Sequence, residues 1–572
     1  MIKRNLVAGA LISILSLSGA NGSTQSAQPT TLDQTIVGDE SGQLLLADGE
    51  KRTTLFGDWK NHRGKGRALG GFKQISDVHV VDEESPGRIE YFDECDQRFS
   101  SAYRPQEAIS AQVAESMLRR LSRIKTGPAT GTDLTFTIST GDNIDNNQFN
   151  ELRWFIDLMD GGQVVPDSGT IGEYHGYAAE HSDTALPMEI ILKAQDGFDA
   201  TGAKQPWYAV LGNHDGLAQG NIRENIEFQF VVQGGRKVLK NIQDYTSEGK
   251  CPDPYDYQAQ LDAFQEAFLS SASQVPSDRN RRLLTKRYLH EEFFNTSGKP
   301  RGHGLNRAPD YPYLEEGEEA FPAGYYAFDI SEEIVGIAMD TVSYDLSDAG
   351  QLDNEQFEWL EAVMRDNSRR YFNRSGERKR NPKAQDRLIV LFSHHGSTAL
   401  DNPDVPDSAP QAMLPLHCFE ETSAEGCQGG EGLRSLIERY PNVIAWVDGH
   451  EHNNRVTHFP FDGDPTRGFW EINTASHIDW PQQSRLIEIA FKPGKDGKAD
   501  TVFIYATMID HIAGVDPDPV AQDPIEYLAS ISRLESYRDA CLRAAQASCS
   551  ATGSPEDRNV KLVLKAPFDL GD

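Results

Sequence analysis

Five short apolar runs, each halting at a polar cluster, constrain this chain more than any other feature. Phe72–Ser76 leads into Asp77-Val78-His79, and Leu134–Ile138 leads into Gly141-Asp142. Trp207–Leu211 precedes Gly212-Asn213-His214-Asp215, and Leu388–Phe392 precedes Ser393-His394-His395. Val443–Val447 runs into Gly449-His450-Glu451-His452. Runs of this length and composition read as buried strands. Between them lie segments with helical spacing of apolar residues, such as Pro105–Lys125 (Ile109, Val113, Met117 and Leu121 on one stripe), Asn147–Met159, Asn354–Arg365 and Gly430–Tyr440. Gly468–Ile472, Arg485–Phe491 and Thr501–Met508 then follow as strands without helices between them. Alternation followed by consecutive strands predicts a mixed α/β fold with two packed sheets flanked by helices.

At 572 residues the chain can bury at least one large core. Lys plus Arg number 55 and Asp plus Glu 87, a net charge of −32. Such a charge repels polyanions and argues against broad nucleic-acid binding. Residues 1–20 carry Lys3-Arg4, the apolar run Leu6–Leu17 and then Ser18-Gly19-Ala20, the layout of a signal peptide, and the run is too short to span a membrane comfortably. No later segment offers a spanning run, so a secreted or periplasmic protein is expected. Residues 21–70 read as an N-terminal arm and 71–512 as the main domain, with an insertion at about 216–322 that would either roof a site or merely stabilise the fold. Residues 513–572 read as a linker, a helix and a short strand. Export makes disulfides plausible for the six cysteines, which allow 15 pairings. Cys418 with Cys427 closes a short loop. Cys541 and Cys549 lie about 12 Å apart along an unbroken helix, so they pair only if the helix ends between them. Cys95 with Cys251 would then remain.

The polar clusters share a chemistry. Asp77, His79, Asp142, Asn213, His394, His450 and His452 offer carboxylate and amide oxygens and imidazole nitrogens, with no thiolate. That donor set suits Mn, Fe, Zn or Co, and it is too large for one tetrahedral ion and sufficient for two. Two ions about 3.5–4 Å apart would clamp a phosphoryl group and acidify a shared water. Asp142, central in the set, is the natural bridge. Singly, each cluster has a plainer explanation as a helix cap, a turn or a core-edge histidine.

Together and in this order, Asp77-x-His79, Gly141-Asp142, Gly212-Asn213-His214-Asp215, His394-His395 and Gly449-His450-Glu451-His452 resemble the five-part signature of the calcineurin-like metallophosphoesterase superfamily. Val80–Pro86, Asn146–Trp154 and Thr474–Asp479 are similar to phrases of an exported bacterial branch whose substrates are unassigned. The resemblance implies a four-layer α/β/β/α sandwich around a binuclear centre. One ion would sit among Asp77, His79, Asp142 and His452, and the other among Asp142, Asn213, His394 and His450. It also implies that His214 donates to a phosphate oxygen or the leaving group, that Asp215 orients His214, and that Asp145 supports the attacking water. No tyrosine follows Gly141-Asp142, so a tyrosinate-iron variant is unsupported.

The expected function is an exported phosphodiesterase or phosphatase acting on small phosphate esters. The competing readings are a non-catalytic exported binding protein on the same fold and a metallohydrolase of non-phosphate esters or amides. His395 is expected to pack or to hold a hydrogen bond rather than a metal, and His477 to be a core-edge residue. Arg485 is expected either to meet phosphate or to form an ion pair, and Leu314–Glu319 to be a solvated acidic face.

Overall fold

The structure, a computed structural model, describes residues 29–570 apart from 57–63, 94, 96–98, 100, 182–185, 241–250, 253–256, 315–316, 345–347, 401–415, 421–429, 462–463, 495–499 and 544–547. The expected leader, residues 1–20, lies outside this range. Two sheets dominate. The seven-stranded one runs, in spatial order, Thr53–Phe56, Val560–Lys565, Thr501–Asp510, Gln483–Lys492, Arg67–Ile75, Thr137–Thr140, Trp207–Val210. The six-stranded one runs Tyr326–Asp329, Ile334–Ala338, Leu388–Phe392, Val443–Asp448, Asp464–Asn473, Arg455–Phe461.

Side-chain alternation explains the layering. In Leu388–Phe392, the side chains of Leu388, Val390 and Phe392 face the other sheet, while Ile389 and Leu391 join the helices Asn354–Asp366 and Leu433–Glu438. Aromatic rings bridge the sheets, with Phe72 against Phe392 at 5.4 Å and Tyr208 stacked on Phe328 at 4.2 Å between centroids. Helices Ser110–Arg123 and Phe149–Asp160 pack on the seven-stranded sheet, where Lys73 Nζ donates to the Leu121 carbonyl at 2.8 Å. The result is the mixed α/β arrangement of helix, sheet, sheet and helix that the sequence predicts.

The chain's last segment belongs to this architecture. Val560–Lys565 pairs antiparallel with Thr501–Asp510 and parallel with Thr53–Phe56. The helix Pro524–Arg538, N-capped by Asp523, packs with Ser110–Arg123. It gives way to a π-helical turn at Asp539–Arg543, and this break lets Cys541 and Cys549 join with Cα atoms 4.6 Å apart. Cys95 is bonded to Cys251. Cys418 is also disulfide-bonded, and its expected partner Cys427 lies outside the described residues. Among the described residues, no helix is long and apolar enough to cross a membrane.

The segment after Gly216 carries helices Ile226–Gln233, Tyr257–Ser271 and Lys286–Glu292. It is tied to the core by buried charges, Lys237 to Glu90 at 2.7 Å and Arg281 to Asp82 at 3.1 Å.

Candidate metal centre

All five polar clusters follow the carboxyl ends of parallel strands. Arg67–Ile75, Thr137–Thr140 and Trp207–Val210 are parallel neighbours in one sheet, and Leu388–Phe392 and Val443–Asp448 in the other. Both sheets therefore deliver their donors to one edge, where loops leaving parallel strands make a crevice. Backbone bonds lock the clusters to one another. Asp77 N–H donates to Gly141 O at 3.0 Å, His79 N–H to Asp142 O at 2.9 Å, and Gly449 N–H to His394 O at 3.0 Å. Across the sheets, His450 N–H donates to Asp77 Oδ1 at 3.0 Å. The approach is so close at Gly212 and Gly449 that a Cβ would strike Asp142 Oδ1 and Ser76 Oγ respectively, so only glycine fits.

In one half of the site, His79 Nε2 and His452 Nε2 face each other at 3.2 Å. Asp77 Oδ1 lies 3.4 Å from His452 Nε2, and Asp142 Oδ2 lies 3.5 Å from His79 Nε2. The outer nitrogens fix the tautomers. His79 Nδ1 donates to Asp145 at 2.8 Å and His452 Nδ1 to Asp479 at 2.7 Å. Burial works against ionising Asp145, but the Arg88 guanidinium and hydrogen bonds from His214 and His79 hold it well below the usual carboxylate range. Burial likewise opposes Asp479, which Arg104 and His452 hold low. Both carboxylates can only accept, so each Nδ1 carries the proton and each Nε2 turns a lone pair inward. Two lone pairs and two carboxylate oxygens thus converge on one point.

The other half repeats the logic. His394 Nδ1 donates to Thr140 O at 2.9 Å, leaving its Nε2 lone pair 3.0 Å from Asn213 Oδ1 and 3.2 Å from Asp142 Oδ2. The Asn213 amide is oriented by its Nδ2 donating to Gly220 O at 3.3 Å. His450 Nδ1 completes the ring, 3.2 Å from both Asn213 Oδ1 and His394 Nε2. One oxygen, Asp142 Oδ2, faces both halves.

Acceptors aimed at acceptors require positive charge between them. Against the cost of burial, hydrogen bonds to Asp479 and Asp77 push His452 up to about 10, and Asp142 and Asp77 push His394 up to about 9. The field therefore favours a cation beside each of these rings, in two places, and a donor set of imidazole nitrogen, amide oxygen and carboxylate oxygen fits two transition-metal ions.

The remaining expected residues divide. His214 stands at the cleft wall with Nδ1 on Asp145, 2.9 Å from its carbonyl and 3.2 Å from Oδ1, while its backbone N–H donates to Asp142 Oδ1 at 2.9 Å. Asp215 does not make the contact expected of it. Its carboxylate accepts from Gly212 N–H at 2.8 Å, Asn143 N–H at 3.1 Å and Ile144 N–H at 3.2 Å, and so pins the loops rather than the His214 ring. Asp145 holds the rings of both His79 and His214, a role the sequence did not indicate. His395 spends Nδ1 on Thr341 Oγ1 at 2.8 Å and Nε2 on Asp348 O at 2.9 Å, which leaves no nitrogen for a metal. His477 is buried against Ser484. Arg485 is buried and donates to Thr474 Oγ1, Asn454 Oδ1 and the carbonyls of Asn473, Asp557 and Arg558, away from any phosphate role. Residues 317–319 of the acidic run are exposed.

Sequence reasoning missed Arg88, Asp479 and Arg104. Arg104 Nε binds both Asp479 oxygens, at 2.9 and 3.0 Å, so Asp479 links it to His452. Arg88 lies just past Val80–Pro86 and Asp479 closes Thr474–Asp479, where adjacency to the signature was the one available signal, whereas Arg104 carried none. The donors open into a cleft of about 750 Å³, walled also by Gln219, Asn221, Trp480, Ala540, Ser550 and Ala551.

No family model matches the chain, and no curated protein matches it. Among solved structures, a dimetal phosphatase from Danio rerio aligns over 78% of this chain and 99% of its own, at 10% identity and a TM-score of 0.30. A candidate 5'-nucleotidase from Staphylococcus aureus, in complex with alpha-ketoglutarate, aligns over 81% of this chain and 57% of its own, at 12% identity and a TM-score of 0.30. Likenesses this distant add no weight to the geometry.

Proposed function

We propose that this chain is an exported hydrolase of small phosphate esters, working through two transition-metal ions. The supporting observation is the convergence of seven donors from two sheets on two points that share Asp142 Oδ2. Asp77, His79, Asp142 and His452 would hold one ion, and Asp142, Asn213, His394 and His450 the other. When bound, such a pair supplies a water acidified toward neutrality and positive charge to meet the phosphoryl oxygens.

The chain's own groups supply the rest. His214, oriented by Asp145, presents its Nε2 edge to the cleft and hands a proton to the departing alkoxide. Against burial, the charges of Asp142 and Asp145 raise this imidazole's affinity for its proton. Arg104 is the one Arg or Lys among the described residues lining the cleft. A single guanidinium beside the metal pair suits one phosphate group rather than a polyphosphate run, in line with the net charge of −32. The intact donor set, with His214 beside it, favours catalysis over a binding protein on the same fold.

The test is turnover of nitrophenyl phosphate and bis-nitrophenyl phosphate by protein loaded with Mn, Zn, Fe or Co, which also separates monoester from diester cleavage. His214→Ala should lower turnover by about 10²–10⁴-fold while leaving bound metal unchanged. Negligible turnover of both esters by metal-loaded protein overturns the reading.

A further inference from the structure

Beside the metal cleft lies a second hollow of about 590 Å³ with a different character. Its floor is aromatic, with Phe92, Phe228 and Phe264 all buried, and its rim carries Ile226 and Leu269, 77% and 76% exposed. The two spaces share a wall. Ile89 and Gln260 line both, and the Phe92 ring on one side touches Phe99 on the other with centroids 5.3 Å apart. Large aliphatic side chains held in water beside an aromatic hollow mark a place where an apolar group is received. Most of this lining comes from the segment after Gly216, and Lys237–Glu90 and the Cys95–Cys251 bond fix that segment beside the metal loops.

We propose that the substrate is an amphiphilic phosphate ester, with its phosphate at the metal centre and its hydrocarbon chain in this hollow. The inference rests on the phosphoesterase reading and names its substrate class. The reaction balances with water alone. The water oxygen bonds to phosphorus, the bond from phosphorus to the leaving oxygen breaks, and the alcohol departs with a proton delivered through His214. Burying a methylene in an apolar wall strengthens binding about fourfold, so chain length is the sensitive variable, and the Ile226/Leu269 rim meets each added carbon.

The experiment uses the full chain loaded with Mn and two probe series below their aggregation concentrations. Methyl-, butyl- and octylphosphonate report binding by calorimetry, and the methyl, butyl and octyl diesters of nitrophenyl phosphate report kcat/KM. Affinity and kcat/KM should both climb about fourfold per methylene over the first several carbons. Ile226→Asp and Leu269→Asp, at exposed positions where folding tolerates the change, should flatten that climb. Affinity independent of chain length, or a climb unchanged in both rim variants, overturns the inference. Turnover without a length dependence leaves the phosphoesterase reading standing and removes the tail site. A length-dependent affinity without turnover of any ester does the opposite.

Discussion

Arg88 offers the sharpest test of how the site is held. Its guanidinium is fully buried and reaches three carboxylates: Glu90 at 3.2 Å, Glu107 at 2.8 Å, and Asp145 in a short ion pair through Nη1. Lys237 adds a second cation at Glu90. Burial and the charge of Asp145 push Glu107 well above the usual carboxylate range even though Arg88 opposes this. Arg88→Met keeps much of the volume and removes one cation. Breaking a buried pair by deleting one partner costs about 3–5 kcal/mol because the other charge is stranded. With an unfolding entropy of roughly 2.1 cal/mol/K per residue, a loss of about 4 kcal/mol over 572 residues lowers Tm by about 3 °C.

The pH dependence gives the sign. In the native chain Arg88 helps to hold Asp145 below its unfolded pKa, so that contribution is present at neutral pH and lost only in strong acid. In the variant, burial would dominate and raise Asp145. A raised carboxyl contributes stability below its unfolded pKa and loses it as pH rises through the folded value. The Tm deficit should therefore be larger near pH 8 than near pH 5, measured by calorimetry on both proteins. A deficit under about 1 °C at both values, or one that grows toward acid, would refute the account of Arg88 as the counter-charge of Asp145. Arg88→Lys, which keeps charge but cannot reach three carboxylates, should fall between the two.

Three further outcomes are expected. Asp479→Asn replaces a group that can only accept with an amide that can also donate, so the His452 tautomer is no longer fixed, and metal affinity by competition with a chelator should drop about 10–100-fold. Burial and the charges of Asp82 and Glu83 push Glu84 up to about 9, so stability should fall as pH rises from about 5 toward 9, and Glu84→Gln should flatten that slope in thermal melts. Cys541→Ser with Cys549→Ser opens a short loop worth about 2–3 kcal/mol in chain entropy. The double variant should melt lower and, because Ala540 and Ala551 line the cleft, raise KM more than it lowers kcat.

Much of the fold was legible because buried parallel strands announce themselves. Leu388–Phe392 has the same boundaries in sequence and structure, the expected strands before Asp77, Asn213 and His450 differ only at their ends, and Leu134–Ile138 overlaps the observed Thr137–Thr140 at two residues. The order of the donor clusters was equally legible, since strand ends are where apolar runs must stop. What the sequence could not reveal is which carboxylate serves which ring. Asp145 and Asp215 are both acids just beyond a signature residue, and nothing in their spacing says that Asp215 turns back on its own loop while Asp145 holds two histidines. The Arg88 and Lys237 network was hidden for the same reason. Ion pairs between residues 57 and 147 positions apart are set by tertiary approach, not by local pattern. The apolar hollow was invisible because its walls come from separate segments whose periodicity is no different from that of ordinary core.

Backbone conformation shows what that tertiary approach costs. Among the described residues ten non-glycine positions have positive φ, and five of them are expected ligands: Asp77 (49°), His79 (45°), Asp142 (48°), His450 (70°) and His452 (50°). Left-handed backbone costs a side-chain-bearing residue roughly 1–2 kcal/mol, so five together cost on the order of 5–10 kcal/mol, as much as a whole domain's net stability. Strain on that scale persists only where surrounding bonds over-determine it. Here the N–H groups of Asp77, His79 and His450 are each donated to another ligand cluster, and both sheets press those loops together through contacts that exclude any side chain at Gly212 and Gly449. The strained conformers aim five of the seven donors inward that relaxed strands would splay apart. A packed core needs nothing of the kind, and a site preorganised to grip cations does.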